Sequence, residues 1–418
     1  MSSRVVVVGQ GYVGLPLAMR AVDVGYDVVG LDVDVHRIDR LRAADSYVDD
    51  VPDDTLRAAL DTHRFTPTTS YEEAADFTYA VVTVPTPLRD GSPDVSFIEH
   101  AMRSLAPRIV PGSTVVLEST TYPGTTDNLV RPILEEGSGL RAGVDFHLGY
   151  SPERIDPGNP QWTFANTPKI VSGINDTSLQ MVQEFYQTLV DPVIAIQGTR
   201  EAEMAKLLEN TFRHVNIALV NELAICAHHL GIDLGVVIDA ASTKPFGFMP
   251  FRPGPGVGGH CLPVDPSYLS WEVRRALGHS LRFVELANDV NNSMPSHVVE
   301  RLSEALNRRQ RTLSTSRVLL LGLAYKRNSG DSRESPALRV AELLHKRGAE
   351  VWAVDDYVDQ AHVPPYVTLV PMDEKRVTTA DLAVLLTDHD GVDYGLLSKA
   401  SLVFDTRGRL RGDNVERL

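Results

Sequence analysis

The sequence predicts an α/β protein in which two doubly wound domains are joined by a helical middle region with one long central helix. Three observations carry this reading. An apolar run, Arg4–Val8, ends at Gly9, passes into helical spacing and leads to a second run that ends at Asp32. The same order restarts at residues 317–323 and reaches Asp355. Between them, residues 201–230 keep helical spacing with neither Gly nor Pro.

Taken in order, residues 4–8 read as a buried parallel strand, residues 12–25 as a helix stopped by Gly25, and residues 27–32 as the second strand of a βαβ unit. Further strands are expected at 77–84, 114–118, 146–150 and 169–173, with helical segments between them. The alternation defines a first domain over residues 1–200. Met204, Leu207, Leu208, Phe212, Val215, Ala218, Leu219, Leu223 and Ile225 then recur at helical spacing. They open a middle domain over residues 201–310, on a helix long enough to join domains and subunits. Helices are expected to resume near Tyr268 and again over 295–308. After a linker at 311–316, a strand at 317–323, a helix at 335–347 stopped by Gly348, and strands at 350–354, 381–386 and 402–405 form a smaller domain over 317–418.

A chain of 418 residues exceeds what one core serves. Its 55 acidic against 40 basic side chains leave a net charge of −15, which argues against a nucleic-acid partner. Two cysteines, Cys226 and Cys261, make no disulfide framework and suit a reducing cytoplasm. The N-terminus lacks a secretory pattern and no apolar run reaches membrane-spanning length, so no membrane partner is expected. No metal site is expected either.

Gly9-Gln10-Gly11-Tyr12-Val13-Gly14 places G-x-G-x-x-G between strand and helix. Gly9 makes the turn, Gly11 admits a pyrophosphate, and Gly14 lets helix and strand pack closely. Tyr12 and Val13 begin the helix whose N-terminus faces the phosphates. Asp32, at the end of the next strand, suits ribose hydroxyls and repels a 2′-phosphate, which favours NAD over NADP. Arg37 either stacks on the adenine or is a solvated charge. Pro85 and Thr86, in Val84-Pro85-Thr86-Pro87, either wall the cofactor site or form an ordinary loop. In the run from Glu118 to Thr125, Thr120 is a candidate to hold a water, but a Ser or Thr helix cap is the preferred reading. Glu153 is a candidate general base and Arg154 a substrate-reading fork, against a surface ion pair.

Lys206 and Asn210 share a helix face at i, i+4 and, if Lys206 is buried, can stabilise an oxyanion; from spacing alone the preferred reading is an exposed Lys paired with Glu203, Glu209 or another acid. Cys226 reads as a small helix hydrophobe. Cys261, in Gly256-Val257-Gly258-Gly259-His260-Cys261, does not sit in a core segment and reads as a nucleophile, with glycines that let a substrate approach. Asp265 either orients the thiol and its proton or caps the next helix ahead of Pro266. Lys326 and Arg333 are phosphate or cofactor contacts, or members of a charged loop. The basic run from Arg407 to Arg411 is read as solvated.

The segments GQGYVG, VPTP, ESTTYPGT, SPER, EAEMAKLLENTFR, GVGGHCLPVDP and GLAYKRNSGDSRESP, in that order, resemble the UDP-glucose/GDP-mannose dehydrogenase family, the nucleotide-sugar 6-dehydrogenases. The resemblance implies an NAD domain, a helical dimerisation region and a C-terminal nucleotide-sugar domain, in a homodimer or larger assembly. It implies a four-electron oxidation of a sugar C6 hydroxyl with two NAD. Cys261 adds to the aldehyde as a thiohemiacetal, a thioester follows, and water releases the acid. Lys206 and Asn210 then stabilise oxyanions, while Glu153, Thr120 and Asp265 handle water and protons. Arg154 and Val264 stand where UDP-glucose enzymes carry Phe and Lys. The segments Lys244-Pro245-Phe246-Gly247-Phe248 and Arg252-Pro253-Gly254-Pro255-Gly256 most resemble UDP-N-acetylglucosamine enzymes, with UDP-N-acetylmannosamine and UDP-glucose as rivals. Arg154 and Arg213 are the candidate readers of the acetamido group. Phe251, Arg252, Gly258 and Lys326 join Glu153, Lys206 and Asn210 as substrate contacts. Gly330 and His214 depart from the family's usual residues.

Overall fold

The computed structural model describes residues 3–89, 91–155, 159, 161–259 and 262–418. The Cys261 nucleophile therefore lies outside the described residues, as do His260, Pro157, Gly158 and Pro160. The chain divides into two compact units, Met1–Glu209 with Ser267–Gly278, and Asn210–Pro266 with His279–Leu418.

The first unit is built on an eight-stranded sheet. Its strands are β1 (Arg4–Val8), β2 (Asp27–Leu31), β3 (Phe65–Thr68), β4 (Tyr79–Val82), β7 (Thr114–Leu117), β8 (His147–Tyr150), β9 (Lys169–Gly173) and β10 (Val193–Ala195). A small hairpin, β5 (Leu88–Arg89) with β6 (Ser92–Pro93), lies apart from it. The order is β10-β9-β8-β7-β4-β1-β2-β3. All neighbours are parallel except β8 and β9, which run antiparallel. Because side chains alternate along a strand, Val5 and Val7 enter one core with Leu15, Val182 and Phe185, while Val6 and Val8 enter the other with Met102 and Leu134. Both faces of β1 are thus buried, which is why it reads as an unbroken apolar run. β3 and β10 escape the sequence reading: both are edge strands, β3 carries Pro67, and β10 has three residues.

The helices of this unit are α1 (Gly14–Asp23), α2 (Val35–Arg42), α3 (Asp53–Asp61), α4 (Ser96–Leu105), α5 (Arg131–Ser138), α6 (Asp176–Leu189), the first part of α7 (Thr199–His229) and most of α9 (Asp265–Leu277). α1 begins at Gly14 rather than at residue 12, since Tyr12 and Val13 still belong to the turn.

The second unit holds the rest of α7, then α8 (Leu234–Ser242) and α10 (Arg282–Asn307), and a six-stranded sheet. Its strands are β11 (Arg317–Leu321), β12 (Glu350–Val354), β13 (Val367–Leu369), β14 (Leu382–Leu385), β15 (Val403–Asp405) and β16 (Val415–Arg417). The order is β13-β12-β11-β14-β15-β16, all parallel. Helices α11 (Pro336–Lys346) and α12 (Glu374–Thr379) cover it. Val318 and Leu320 face one core, Leu319 and Leu321 the other, repeating β1. The helix expected from Pro295 starts instead at Arg282 and carries Pro295 inside it. Burial explains the override: Met294, Val298, Val299 and Leu302 are fully buried, and packing outweighs proline's local cost.

Candidate active site

In the first unit, loops beyond the carboxyl ends of β1, β2, β4, β7 and β8 carry the expected residues. This is the edge where doubly wound sheets take ligands. Gly9 turns with φ +95°, and a Cβ there would lie 2.9 Å from the Thr83 carbonyl oxygen. At Gly14 a Cβ would stand 1.8 Å from the Gly9 oxygen. Gly11 differs, because a Cβ on it would meet nothing within 4 Å. Protein packing does not require that glycine; open space for a ligand does. α1 has no side-chain cap; in its first turn the Leu15 N–H goes to the Gly11 carbonyl at 3.1 Å, the Leu17 N–H to the Val13 carbonyl at 3.4 Å, and Pro16 has no N–H to give.

Asp32 is buried and accepts from the Gln10 N–H at 2.8 Å and the Asp34 N–H at 3.0 Å. Arg37 comes to 3.4 Å from Asp32 and 5.7 Å from the Tyr47 ring centre. The Tyr47 hydroxyl donates to the Gln10 carbonyl at 2.6 Å. These residues fit the adenosine and pyrophosphate of a dinucleotide.

Thr86 donates to the Thr120 carbonyl at 2.8 Å, and Ser119 to the Val84 carbonyl at 2.7 Å. The Tyr268 hydroxyl of α9 donates to the Thr86 carbonyl, while Pro85 is exposed. The two loops are thereby stitched together. The cap expected from Ser or Thr near residue 120 is not made by them. Glu203 of α7 accepts from the Gly124 N–H, from the Thr126 N–H at 2.9 Å and from the Thr126 hydroxyl at 2.7 Å. Thr121 and Thr125 bond each other at 2.7 Å instead.

Glu153 and Lys206 are both buried, 9% and 8% exposed, so neither makes the surface contact that was the plain alternative for Glu153 and the preferred reading for Lys206. Glu203 is engaged as above and Glu209 pairs with Arg154 at 2.7 Å. Arg154 also donates to the Pro168 carbonyl at 2.6 Å, so this residue does make the loop ion pair. Burial pushes the Glu153 carboxyl up, but Lys169, Glu118, the Ile155 N–H and Lys206 outweigh it and hold the group below its ordinary value.

In the second unit, Asn210 donates to Asp265 at 2.5 Å, and both are buried. Asp265 stands in the first turn of α9. The segment before Cys261 is anchored through Asn221. This side chain accepts from the Gly254 N–H and donates to Asn291, each at 2.9 Å. His214 lies at 2.8 Å from Asn288 and 3.4 Å from Asn291, which explains a buried histidine there. A Cβ on Gly258 would come to 2.7 Å from Pro336 and 2.8 Å from Tyr325, and one on Gly259 to 2.8 Å from the Tyr325 ring. These two glycines admit the protein's own side chains, not only a substrate.

The other expected contacts lie elsewhere on this unit. Arg213 is exposed, Phe251 packs edge-on to Phe212, and Arg252 pairs with Asp239. Lys326 is half-buried. Arg333 grips Asp331 with two bonds of 2.8 and 2.7 Å. A Cβ on Gly330 would lie 2.5 Å from the Tyr357 carbonyl oxygen, which explains the missing Asp. Arg409 pairs with Asp388 at 3.4 Å and stacks on Tyr394, so the basic run is not wholly solvated.

Asp355 follows β12 as Asp32 follows β2, and its carboxylate accepts from the Leu323 N–H at 2.7 Å as Asp32 does from Gln10; it adds the Ala324 N–H and His389, each at 3.1 Å. The second sheet thus repeats the acid-to-loop bond of the first. Comparison with known proteins tells the two domains apart. The chain matches the NAD-binding domain of the UDP-glucose/GDP-mannose dehydrogenase family over residues 3–190, its central domain over 200–293 and its UDP-binding domain over 319–412.

The chain belongs to this family.

Its relatives include a UDP-N-acetyl-D-mannosamine dehydrogenase of Pyrococcus horikoshii, 36% identical over 92% of this chain and 89% of that one. A UDP-N-acetyl-D-glucosamine 6-dehydrogenase of Pseudomonas aeruginosa is 37% identical over 85% of this chain and 83% of its own. Among solved structures, the Pyrococcus horikoshii UDP-N-acetylmannosamine dehydrogenase superposes with a TM-score of 0.89 at 33% identity, covering 99% of this chain and 98% of that one. This dehydrogenase is an NAD-dependent enzyme acting on a UDP-sugar. No helix among its described residues is long and apolar enough to cross a membrane. Sequence reasoning missed four residues of its site region: Tyr47, Glu118, Lys169 and Tyr268. Each acts through a partner distant in sequence, and only the fold supplies that information.

Proposed function

We propose that this dehydrogenase oxidises the C6 hydroxyl of UDP-N-acetylglucosamine to the uronic acid in four electrons, through a thiohemiacetal and a thioester on Cys261. The observation that carries the reading is the buried pairing of Asn210 with Asp265, which joins α7 to the helix that follows the Cys261 loop. Bound NAD supplies the hydride acceptor in each of two oxidations, held by Gly9, Gly11, Gly14 and Asp32, with Thr86 and Thr120 alongside. The Cys261 thiolate adds to the aldehyde carbon, and Lys206 and Asn210 donate to the oxygen that gains charge. In the last step water bonds to the thioester carbon and passes a proton to Glu153. Collapse breaks the C–S bond, releasing the acid and the Cys261 thiolate. Asp265 orients Asn210.

The sugar is read from Arg154, Val264 and the segments at 244–248 and 252–256, together with two relatives named for UDP-N-acetylglucosamine. UDP-N-acetylmannosamine is the second reading, favoured by the Pyrococcus horikoshii relative. The three-part division at 1–200, 201–310 and 317–418 and a cytoplasmic location belong to the same proposal. So does a homodimer built along α7, whose Phe212, Leu219 and Leu223 are 45%, 52% and 44% exposed. The test is NADH formed per limiting sugar with UDP-N-acetylglucosamine, UDP-N-acetylmannosamine and UDP-glucose in parallel. Two equivalents from the first alone are expected. Two equivalents from another sugar overturn the sugar assignment, and one equivalent from any overturns the thioester route.

A further inference from the structure

Three polar groups that the mechanism above does not use are buried together behind Glu153. Lys169 is 4% exposed and its ammonium lies 3.6 Å from Glu153 Oε2. The same ammonium donates to Glu118 Oε1. Glu118 Oε2 accepts from the Tyr186 hydroxyl at 2.6 Å. The Phe164 and Tyr186 rings stand 5.8 and 5.3 Å from the ammonium. The sheet explains the meeting. β9 pairs antiparallel with β8, so its first residue lies at the edge where β8 ends. Carrying the register on from the Tyr150–Ser172 pair sets Glu153 opposite Lys169. A parallel β9 would have put Lys169 at the far edge.

We propose that Lys169 is a positioning residue: its ammonium, anchored by Glu118 and Tyr186, holds Glu153 in place in its ionised, proton-accepting form. This rests on Glu153 being the base in the proposed reaction. The charges around Glu153 come from every packed element: Lys169 of β9, Glu118 after β7, Tyr186 of α6 and Lys206 of α7. Two carboxylates share one buried lysine, and their environments drive them apart. Burial pushes Glu118 up to about 7 despite Lys169, whereas Glu153 is held low. The cluster thereby keeps its free acceptor on the residue at the loop.

The test is a carboxyl titration by NMR on protein labelled at glutamate side-chain carbons, with Glu153→Gln assigning the Glu153 signal. The wild-type Glu153 signal is expected to titrate below the ordinary glutamate range. In Lys169→Met it should rise by about one pH unit or more, and in Lys169→Arg it should stay near wild type. An unchanged midpoint in Lys169→Met overturns the proposal. Should that variant not fold, Glu118→Gln is compared with Glu118→Gln/Lys169→Met, which also removes the competing anion. Glu153 must titrate higher in the double variant, and equal midpoints overturn the proposal. The acid limb of kcat should move with the NMR midpoint. If Glu153→Gln keeps wild-type kcat, the base assignment fails while the titration still decides the role of Lys169.

Discussion

Gly11 and Gly14 stand three positions apart, and the structure gives them opposite duties. A Cβ at Gly14 collides with the Gly9 carbonyl, whereas one at Gly11 meets open space. Gly14→Ala should therefore destabilise the fold by roughly 3 kcal/mol or more. Gly11→Ala should leave Tm within a degree or two of wild type yet weaken NAD about tenfold or more, as read by fluorescence titration. Equal Tm losses in both variants would contradict the assignment. Glu118 gives a pH prediction of definite sign. Its folded value, raised by burial to about 7, lies above its unfolded value. The stability it contributes is present at acid pH and lost as pH rises through about 7, and Glu118→Gln should remove that part of the slope of Tm against pH. The glycine pattern and Asp32 are legible in sequence because their partners are local. Lys169 is not legible, because its meeting with Glu153 depends on the direction of β9.

At the scale of elements, α7 and α10 hold the segment leading to Cys261 through side chains that sequence periodicity passes over. Asn221, Asn291 and His214 occupy buried positions on these helices and read as breaks in an apolar stripe. In the structure they form a bonded set that ends on the Gly254 N–H, at the start of the segment leading to Cys261. Asn291→Ala leaves Asn221 without its acceptor in a buried place. It should cost about 1–3 kcal/mol in chemical denaturation, with a loss of turnover on the UDP-sugar at saturating NAD. A variant as stable and active as wild type would contradict the anchoring role. The strands with continuous apolar runs, β1, β2 and β11, match the sequence reading, since burial on both faces leaves a plain signature. The start of α10 does not, because Pro295 is a strong local stop signal that tertiary burial overrides.

At the scale of the whole molecule, two sheets of similar design serve different ligands. In both, the acid after the second strand accepts from a loop N–H, Asp32 from Gln10 and Asp355 from Leu323; the second adds the Ala324 N–H and His389. Family membership assigns NAD to the first and UDP to the second. The exposed apolar positions of α7 predict assembly. Leu219→Glu with Leu223→Glu should halve the mass seen by light scattering, and an unchanged mass would place the subunit contact elsewhere. The central claim is covalent chemistry on Cys261. The most direct measurement is the intact mass of Glu153→Gln after incubation with NAD and the UDP-sugar that turns over. A gain equal to the UDP-sugar acyl group, absent when Cys261 is also changed to Ser, is the predicted result. Wild-type turnover with no adduct in the Glu153 variant, or an adduct that survives Cys261→Ser, would contradict it.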